Sequence, residues 1–435
     1  MELLYISYDG MLEPLGQSQV LSYLRQIAKH RTVALLSYEK RRDLKDRGRL
    51  VPLAQELQAA AIHWRRLRYH KWPSLLATGY DALRGIVAGI VLCRRHRIRV
   101  VHARGYVASV IAVRLKRCCG TRFIFDMRGF WADEKVDAGH WSSHSLAYRL
   151  AKRWERRFFE EADAIVSLTA EGIAAFPTLG YRIPSDRPTV VVPTCVDLDR
   201  FVPGQKDPEL LTRFGLHDAT VIGCVGNTGN WYLRDWMLRY LAFVCGHLPN
   251  VKVLLVTRDD HARLKKDAVA AGVPPDRLVL TQASFEEMPA YLRLLDLAVF
   301  FRKLQFSKQG SLAAKLGELL ASGVPMVINE GIGDAGALIR QERVGVVLSD
   351  VSDAAFETTF DDVARLLQDP LCRRRCRQVA ERHFDLRMGV GRYLELYRRL
   401  NGSDEPRGGE DEGIGDRGGR DVEQCPVPGA AAAGP

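Results

Sequence analysis

Residues 306–325 read FSKQGSLAAKLGELLASGVP, and a helix-length part of this stretch contains two charged side chains, Lys315 and Glu318, in an otherwise small or apolar run. Lys315 and Glu318 are three residues apart, so a helix places them on one face. Apolar runs before and after this stretch, LDLAVFF and VPMVIN, predict buried strands. A fully exposed ion pair, worth only a few tenths of a kcal/mol, is the alternative, and the flanking strands argue against it.

The start of this predicted helix combines features that bind anions. Ser311 is the expected N-cap, and a helix N-terminus presents free N–H groups with a partial positive charge. Arg302, Lys308 and Lys315 add full positive charges around it. A diphosphate held there would place an attached ribose about one turn deeper. Glu318 would then accept hydrogen bonds from the ribose hydroxyls.

A glycine-containing loop, VGNTGNWYLRDW, follows the strand VIGCV. Gly226 and Gly229 allow a tight turn with exposed N–H groups, which is a possible phosphate cradle around Asn227. The GK[ST] ending of a P-loop is missing, which argues against an NTPase. Plain strand-to-helix packing is the alternative.

In the first half of the chain, two loops after predicted strands carry polar side chains. In YDGMLEPLGQSQVLSYL, Gly16 lets the backbone approach a ligand and Gln17 begins a helix, close to Asp9. An ordinary connection explains that loop equally well. The loop DMRGFWADEKVD combines aromatic rings with charges, as sugar sites do. Its candidate residues are Asp126, Arg128, Trp131, Asp133 and Glu134.

Composition and charge set the wider frame. The 435 residues are 47% hydrophobic and 26% charged, which is ordinary for a globular protein, and the net charge is +11. Eight acidic and three basic residues follow Asn401, so the first 400 residues carry +16. A basic body predicts an anionic partner: phosphate groups, nucleic acid or a membrane surface. The N-terminus lacks the pattern of a signal peptide, which favours a cytoplasmic protein.

Strands and helices alternate along the chain, which predicts parallel sheets covered by helices. We expect one α/β domain at residues 1–195 and a second at 196–400. The proline-rich segment 196–219 is the expected linker, and 385–400 the expected terminal helix, which could pack back on the first domain. The Gly-, Pro- and acid-rich segment 401–435 predicts a disordered tail.

From these motifs, residues 1 to about 400 resemble a GT-B glycosyltransferase of the glycosyltransferase 4 (group 1) family. The most specific pieces are YDGMLEPLGQSQVLSYL, FDMRGFWADE and KLGELLASGVPMVIN. The resemblance implies two Rossmann-like domains facing across a cleft, with the nucleotide-sugar bound mainly by the second. It also implies transfer with retention, without a DXD-bound metal or another cofactor. Glu318 matches the second glutamate of the family's E-x7-E motif, whereas the first falls at Gly310.

The resemblance sorts the candidate residues into roles. Asp126 and Arg128 are the expected catalytic residues. The expected donor-binding residues are Glu318, Lys315, Arg302, Lys308, Ser311, Gly226, Asn227 and Arg258. The expected acceptor-binding residues are Gly16, Gln17, Asp9, Trp131, Asp133 and Glu134. The acceptor itself is expected to be a glycan or a lipid-linked glycan.

Two other functions remain open at this stage. A nucleotide-sugar epimerase of similar fold would use the same donor without transferring it. A nucleic-acid-binding protein would explain the basic body, although no known RNA- or DNA-binding module is present. The segment from Trp64 to Arg99 holds nine Lys or Arg and one acid, Asp81, with aromatic residues interleaved. It predicts peripheral docking on an anionic membrane, and a solvated basic face is the alternative.

Overall fold

The computed structural model of the protein describes residues 1–229 and 231–401. The predicted tail, 401–435, lies outside the described residues except for Asn401, which ends the last helix. Two parallel sheets organise the chain, one from each half.

The first sheet has seven strands in the order β3-β2-β1-β4-β5-β6-β7. Most of these strands are almost wholly buried, because helices cover both faces of the sheet. The strands are β1 (Leu3–Ser7), β2 (Val33–Glu39), β3 (Ile62–Arg68), β4 (Val100–Arg104), β5 (Arg122–Asp126), β6 (Ala164–Ser167) and β7 (Thr189–Val191).

The second sheet has six strands in the order β10-β9-β8-β11-β12-β13. Its strands are β8 (Thr220–Val225), β9 (Val251–Val256), β10 (Leu278–Thr281), β11 (Leu297–Phe300), β12 (Met326–Asn329) and β13 (Gly345–Leu348). Both sheets reverse their direction of growth once, between β1 and β4 and between β8 and β11. Ligands of open α/β sheets bind at such switch points, beyond the carboxyl ends of the strands.

The helices are numbered in chain order. Up to the end of the first sheet they are α1 (Pro14–Gly16), α2 (Ser22–Ile27), α3 (Arg41–Lys45), α4 (Arg47–Ala59), α5 (Ser74–His96), α6 (Gly105–Cys119), α7 (Trp131–Asp137), α8 (Leu146–Glu161) and α9 (Ala170–Ala174). The others are α10 (Pro208–Phe214), α11 (Arg234–His247), α12 (His261–Ala270), α13 (Met288–Leu294), α14 (Ala314–Ala321), α15 (Ala335–Glu342), α16 (Asp353–Gln368), α17 (Cys372–His383) and α18 (Leu386–Asn401). A π-helical turn, Gln17–Leu21, joins α1 to α2, and 3₁₀ turns lie at Pro275–Arg277 and Phe306–Lys308.

The last helix, α18, packs on the first sheet although it follows the second one in sequence. Val390 and Tyr397 belong to the same apolar cluster as Tyr23 of α2 and Val100 of β4. This cluster covers one face of the sheet, and a cluster involving α6 and α8 covers the other. The division at residues 195 and 196 stays a prediction, and the two sheets lie on either side of it.

Candidate active site

Three segments of the second half meet at its switch point. The loop after β8 contains Gly226, whose φ of +83° favours glycine, and a Cβ added there would lie 3.7 Å from Lys315 Nζ. The loop after β11 contains Arg302, which forms an isolated antiparallel bridge with Tyr232. The sequence predicted Gly226, Arg302 and Lys315 as donor-binding residues, and the fold brings them together.

Two cations at this point have unused hydrogen-bonding capacity. Arg302 is buried, and its Nη2 donates to Ser311 Oγ at 3.2 Å. Its Nε and Nη1, and Lys315 Nζ, are buried without a hydrogen-bond partner among the residues that the structure describes. Lys315 Nζ lies 4.0 Å from the centroid of the Tyr232 ring. Burial lowers the pKa of Arg302, so an anion placed here would recover electrostatic energy that burial has cost.

The helix α14 begins later than the sequence suggested. It starts at Ala314, with Ala313 in the N-cap position and no side-chain cap, so the expected N-cap role of Ser311 is wrong. The chain at Ser311 instead lies against Arg302, its hydrogen-bond partner. The first N–H groups of an uncapped helix have no intrahelical acceptor. The end of α14 near Lys315 therefore adds partial positive charge to that of the side chains.

A cleft of about 1270 Å³ opens between the two halves. Gln17 and Glu13 line it from the first half, whereas Glu318 and Arg258 line it from the second. Burial raises the pKa of Glu318, and the positive charges of Arg200 and Lys315 oppose that shift. Among the predicted site residues, Gln17, Arg258 and Glu318 are therefore the ones that share the walls of this cleft.

Asn227 and Lys308 are the other two residues that the sequence predicts to bind the donor. Asn227 is exposed, and its Oδ1 accepts a hydrogen bond of 2.7 Å from Gly229 N, which holds the glycine turn in shape. Lys308 belongs to the 3₁₀ turn Phe306–Lys308, and its side chain lies outside the described part of the structure. The predicted donor-binding roles of both residues stay predictions.

The loop after β1 is folded tightly against itself. A Cβ on Gly16 would overlap the carbonyl oxygen of Gly10, so glycine is required there. Gln17 Nε2 donates to Met11 O at 2.7 Å, and Met11 N donates to the buried carboxylate of Glu39. The π-helical turn that starts at Gln17 is a feature often found at functional sites.

Charged residues at the first switch point are paired with each other. Asp9, after β1, accepts a hydrogen bond from Arg104 Nη1, at the end of β4. Arg104 is 8% exposed and Asp9 keeps 35% of its side chain exposed. The predicted acceptor residue Asp9 is therefore held at the edge of the site by a buried arginine.

Asp126, at the end of β5, lies in a buried network. Its Oδ2 lies 3.2 Å from both His102 Nε2 and Tyr393 Oη, and Arg128 Nη1 lies 3.8 Å from its Oδ1. Burial alone would raise the pKa of Asp126, but Arg128, His102 and Arg104 outweigh it and hold the pKa below its usual value. With 1% exposure, the carboxylate would influence a substrate only through its neighbours.

Arg128 is the member of this pair that reaches toward the cleft. Its φ is +57°, an unusual value for a residue with a Cβ. Its Nη2 lies 3.5 Å from Oε1 of Gln19, which lines the cleft. The neighbouring carboxylate of Asp126 raises its pKa against the effect of burial, so it stays charged. The geometry favours Asp126 as the residue that positions Arg128.

The loop DMRGFWADEKVD, which leads into α7, makes more contacts with the protein interior than the sequence suggested. Trp131 packs with Tyr106 and Trp141, at centroid distances of 5.4 and 5.1 Å. Asp133 accepts hydrogen bonds from Tyr148 Oη at 2.8 Å and Lys152 Nζ at 3.0 Å. These contacts occupy the side chains that were expected to hold an acceptor.

Glu134 lies near the junction of the two halves instead. A Cβ on Gly129 would meet Glu134 Oε1 at 3.2 Å and Ser311 Cβ at 3.7 Å. Phe130 and Phe306 pack across the same junction with their centroids 5.1 Å apart, and Thr169 Oγ1 donates to Gln309 O at 2.5 Å. Segment 305–311 therefore packs against the loop that contains Phe130.

The structure adds two arginines that sequence reasoning missed. Arg200, in the segment predicted as the linker, lines the cleft with its guanidinium 3.5 Å from the centroid of the Phe285 ring. A linker between two facing domains must pass the cleft, so a charged residue within it was a usable signal. Arg104 was visible as a lone arginine at the carboxyl end of the apolar strand VVHAR. Its pairing with Asp9 could not be read from either residue alone.

Comparison with known proteins agrees with this architecture. Residues 18–194 match the family model described as "Glycosyl transferase 4-like domain". A glycosyltransferase from Rickettsia africae ESF-5 superposes with a TM-score of 0.69 at 13% identity, over 93% of this chain and 99% of that one. The chain has the GT-B fold.

Two further solved structures have the same fold. Anabaena HepE in complex with UDP and glucose gives a TM-score of 0.64 at 15% identity, over 91% of this chain and 99% of that one. WaaG, a glycosyltransferase involved in lipopolysaccharide biosynthesis, gives 0.63 at 14% identity, over 92% of this chain and all of that one. A search of curated proteins found no match. The similarities support the resemblance to the glycosyltransferase 4 (group 1) family, and membership in that family stays a proposal.

Proposed function

We propose that this GT-B protein is a glycosyltransferase that moves a sugar from a nucleotide-sugar to an acceptor hydroxyl. The observation that carries the proposal is the pair of buried cations at the second switch point, Arg302 and Lys315, with Glu318 one turn further along α14 in the wall of the cleft. A diphosphate supplies the missing acceptors for the cations, and a ribose supplies hydroxyl donors for the carboxylate.

The proposed reaction uses the second half to hold the leaving group. As the bond between the sugar and the diphosphate breaks, negative charge grows on the diphosphate oxygens. Arg302, Lys315 and the start of α14 stabilise this charge, and because they are fixed in place they do so without reorganisation. We propose transfer with retention, in which the departing phosphate takes the proton from the acceptor hydroxyl.

The first half holds the acceptor in this scheme. Gln17 lines the cleft opposite Glu318, and Arg128 lies behind it through Gln19. Asp126 keeps Arg128 in place and charged, which makes Asp126 a positioning residue. Closure of the two halves excludes water and so suppresses hydrolysis of the donor.

The donor class is proposed from the solved structures that share the fold. HepE was crystallised with UDP-glucose, and another neighbour, an E. coli protein, with UDP-2-fluoro glucose. We therefore propose a UDP-sugar as the first donor to test. The involvement of WaaG in lipopolysaccharide biosynthesis supports a glycan or glycolipid acceptor, which we propose is reached from the cytoplasm.

A thermal-shift panel of UDP-, GDP-, ADP- and CMP-sugars tests the donor proposal. A ligand that binds only the folded state raises the melting temperature. One class is expected to stabilise the wild type and the control variant Lys265→Met, which changes an exposed lysine of α12, and to stabilise Lys315→Met clearly less at the same ligand concentration. No stabilisation of the wild type by any member, or equal stabilisation of Lys315→Met, would contradict the proposed site.

Product analysis separates transfer from the alternatives. A transferase releases free nucleoside diphosphate in proportion to the glycosylated acceptor, whereas an epimerase returns an isomeric nucleotide-sugar. Filter binding at moderate salt tests a nucleic-acid partner, because phosphate contacts make such binding strongly salt-dependent. Stable nucleic-acid binding without any donor binding would reverse the assignment.

A further inference from the structure

The outer face of α5 exposes a continuous apolar stripe. Its members are spaced by three or four residues, as one helix face requires, and between 52% and 85% of each is exposed. They are Trp72, just before the helix, and Leu76, Tyr80, Leu83, Val87 and Val91. Single exposed apolar residues are normal, but a stripe of this length marks a surface that contacts something.

The inner face of α5 combines core residues such as Leu92 with small residues where the helix meets α6. A Cβ on Gly85 would come within 2.5 Å of Ile111 Cδ1, and one on Gly89 within 2.8 Å of Leu115 Cδ1, so both glycines let α5 lie close to α6. Ala77 and Ala82 are buried on the same side. The hydrophobic effect alone would turn the larger side chains inward, so the outward stripe indicates a second apolar environment.

Within the segment from Trp64 to Arg99, basic residues flank this stripe and no acidic side chain is exposed. The single carboxylate between Trp64 and Arg99, Asp81, is fully buried and bonds Tyr8 Oη at 2.9 Å and His70 Nδ1 at 2.6 Å. The exposed basic residues of the segment are Arg65, Arg66, Arg68, Lys71, Arg94, Arg95, Arg97 and Arg99. Each Lys or Arg near an anionic membrane surface strengthens binding by roughly fivefold.

A groove of about 550 Å³ between β3 and α5 is lined by both apolar and basic side chains. Leu67, Leu83 and Val87 form part of its lining, and Arg65 and Arg95 lie along it. Because β3 is the edge strand of the sheet, nothing in the first sheet continues beyond this groove. The groove and the stripe thus form one surface, apolar in its middle and basic around it.

We propose that the outer face of α5 and the edge strand β3 form a docking face for an anionic lipid bilayer. The helix would lie in the plane of the membrane with its stripe at the level of the headgroups and first acyl carbons. This inference rests on the proposed function and deepens it, because it assigns the acceptor to the membrane surface.

The structure changes which residues carry the docking predicted from sequence. Trp64 is partly buried, and its Nε1 donates to Ser37 Oγ at 2.7 Å, so it is part of the sheet. Trp72 is 85% exposed and stands at the start of the stripe. The insertion surface is therefore the helix that follows the aromatic and basic segment, and the arginines of β3 supply the attraction beside it.

The fold also favours a helix that lies on the membrane over one that crosses it. Among the described residues, one helix segment, Leu75–His96, is long and apolar enough to cross a bilayer by length and composition. Its glycine face and Asp81 are, however, engaged within the first half. Tyr8, the partner of Asp81, lies in the loop that leads to Gln17, so a docked α5 would hold the cleft close to the lipid surface.

Vesicle flotation with the full chain tests the docking face. Vesicles of phosphatidylcholine alone are compared with vesicles of equal parts phosphatidylcholine and phosphatidylglycerol, at low and high salt. The wild type is expected to float only with the anionic vesicles and to detach partly at high salt. Leu76→Ser, Leu83→Ser and Val87→Ser combined should weaken binding about 1000-fold or more, because each inserted Leu or Val contributes roughly tenfold or more.

Two further variants make the result specific. Arg65→Ser, Arg66→Ser and Arg68→Ser combined should weaken anionic binding and reduce its salt dependence. Leu146→Ser, Leu150→Ser and Leu371→Ser combined remove three exposed leucines elsewhere and should bind like the wild type. All three variants change exposed side chains, so melting temperatures close to the wild type verify their fold.

The outcomes separate the docking face from the proposed activity. If the α5 variant no longer floats with vesicles but is still stabilised by the nucleotide-sugar, the result supports both the docking face and the proposed activity. Wild-type protein that ignores anionic vesicles but binds a nucleotide-sugar overturns the docking face alone. A second copy of the chain is the other possible occupant: a dimer in sedimentation velocity that the α5 variant dissociates, without vesicle binding, would also overturn the proposal.

Discussion

Charged side chains are arranged differently at the two switch points of the molecule. At the first, Asp9 pairs with Arg104, and Asp126 is surrounded by Arg128 and His102. At the second, nitrogens of Arg302 and Lys315 are buried without a hydrogen-bond partner in the part of the chain that the structure describes. Opposite charges meet within the first site, although Asp126 Oδ1 and Arg104 Nε are also buried there without a hydrogen-bond partner among the described residues. The second site gathers buried cations, whose free N–H groups an anion would satisfy.

This difference predicts that the first switch point contributes mainly to folding stability and the second mainly to ligand affinity. A paired network keeps its geometry in the absence of ligand, and breaking it leaves a buried charge, so its loss should appear as lost stability. An unpaired cation adds little to the stability of the empty protein, and its loss should appear in ligand affinity. Substitutions at the two places should therefore change different measurements.

The largest effect is expected for Asp126→Asn, a loss of about 3 kcal/mol in the free energy of unfolding, because largely buried Arg128 loses its carboxylate. The pKa of Asp126 is lowered in the folded state, below an unfolded value of about 3.9. Its contribution is thus present above that pH and is lost as the pH falls through the folded value. Urea unfolding at neutral pH and at successively lower pH measures both effects.

Asp235→Asn is the control for this experiment, because Asp235 is 92% exposed. It should unfold like the wild type at every pH. Equal stability of Asp126→Asn and the wild type at neutral pH would show that the first switch point is not held by its charges.

Lys315→Met is expected to lower donor affinity by about 2 kcal/mol, roughly 30-fold, through loss of a charged hydrogen bond. The unliganded protein should keep a melting temperature close to that of the wild type, because the ammonium group has no hydrogen-bond partner among the described residues and only its contact with the Tyr232 ring is lost. Calorimetric titration with the nucleotide-sugar that gives the largest thermal shift measures the affinity. A stability loss as large as that of Asp126→Asn would break the contrast between the two sites.

Glu318→Ala is expected to lower donor affinity about tenfold, since ribose hydroxyls lose their acceptor, and Glu318→Gln less. Burial raises the pKa of Glu318 in the folded state. The stability from its protonated form is thus present below an unfolded pKa of about 4.3 and is lost as the pH rises through the folded value. Without ligand, Glu318→Gln should be slightly more stable than the wild type at neutral pH. Unchanged donor affinity in Glu318→Ala would remove this residue from the site.

The last prediction is that a metal chelator has no effect: the rate of sugar transfer should stay unchanged when EDTA is added. In the proposed reaction, Arg302 and Lys315 would carry the positive charge that a divalent ion would otherwise provide to the diphosphate. Transfer is measured with and without EDTA, followed by magnesium or manganese. Activity that EDTA abolishes and a metal restores would show that these cations are insufficient.

The sequence predicted what depends on local pattern. Apolar strands alternating with helices specified two parallel sheets, and carboxyl ends of strands pointed to Gly226 and Arg302. The spacing of Lys315 and Glu318 already placed both on one helix face. These features need only the period of the helix and the position of strand ends, which one stretch of sequence contains.

What could not be predicted depends on distant partners. Asp133 is engaged by Tyr148 and Lys152, and Trp131 by Tyr106, and no feature of the loop itself indicates those contacts. The same holds for Asp126, whose partners include Tyr393 from the last helix. Which face of α5 turns outward likewise follows from its packing on α6. Pairings of this kind arise only when elements far apart in sequence are assembled.

The position of α18 has a consequence for the order in which the protein can be made. Domains near the N-terminus usually fold first during synthesis. Here Val390, Tyr393 and Tyr397 complete a core begun by Leu3, Tyr5 and Tyr23, so the first half lacks part of its interior until the end of the chain has emerged. The second half, whose strands and main helices lie between these segments, can finish earlier. The core beneath α18 can therefore be completed only after α18 itself has left the ribosome.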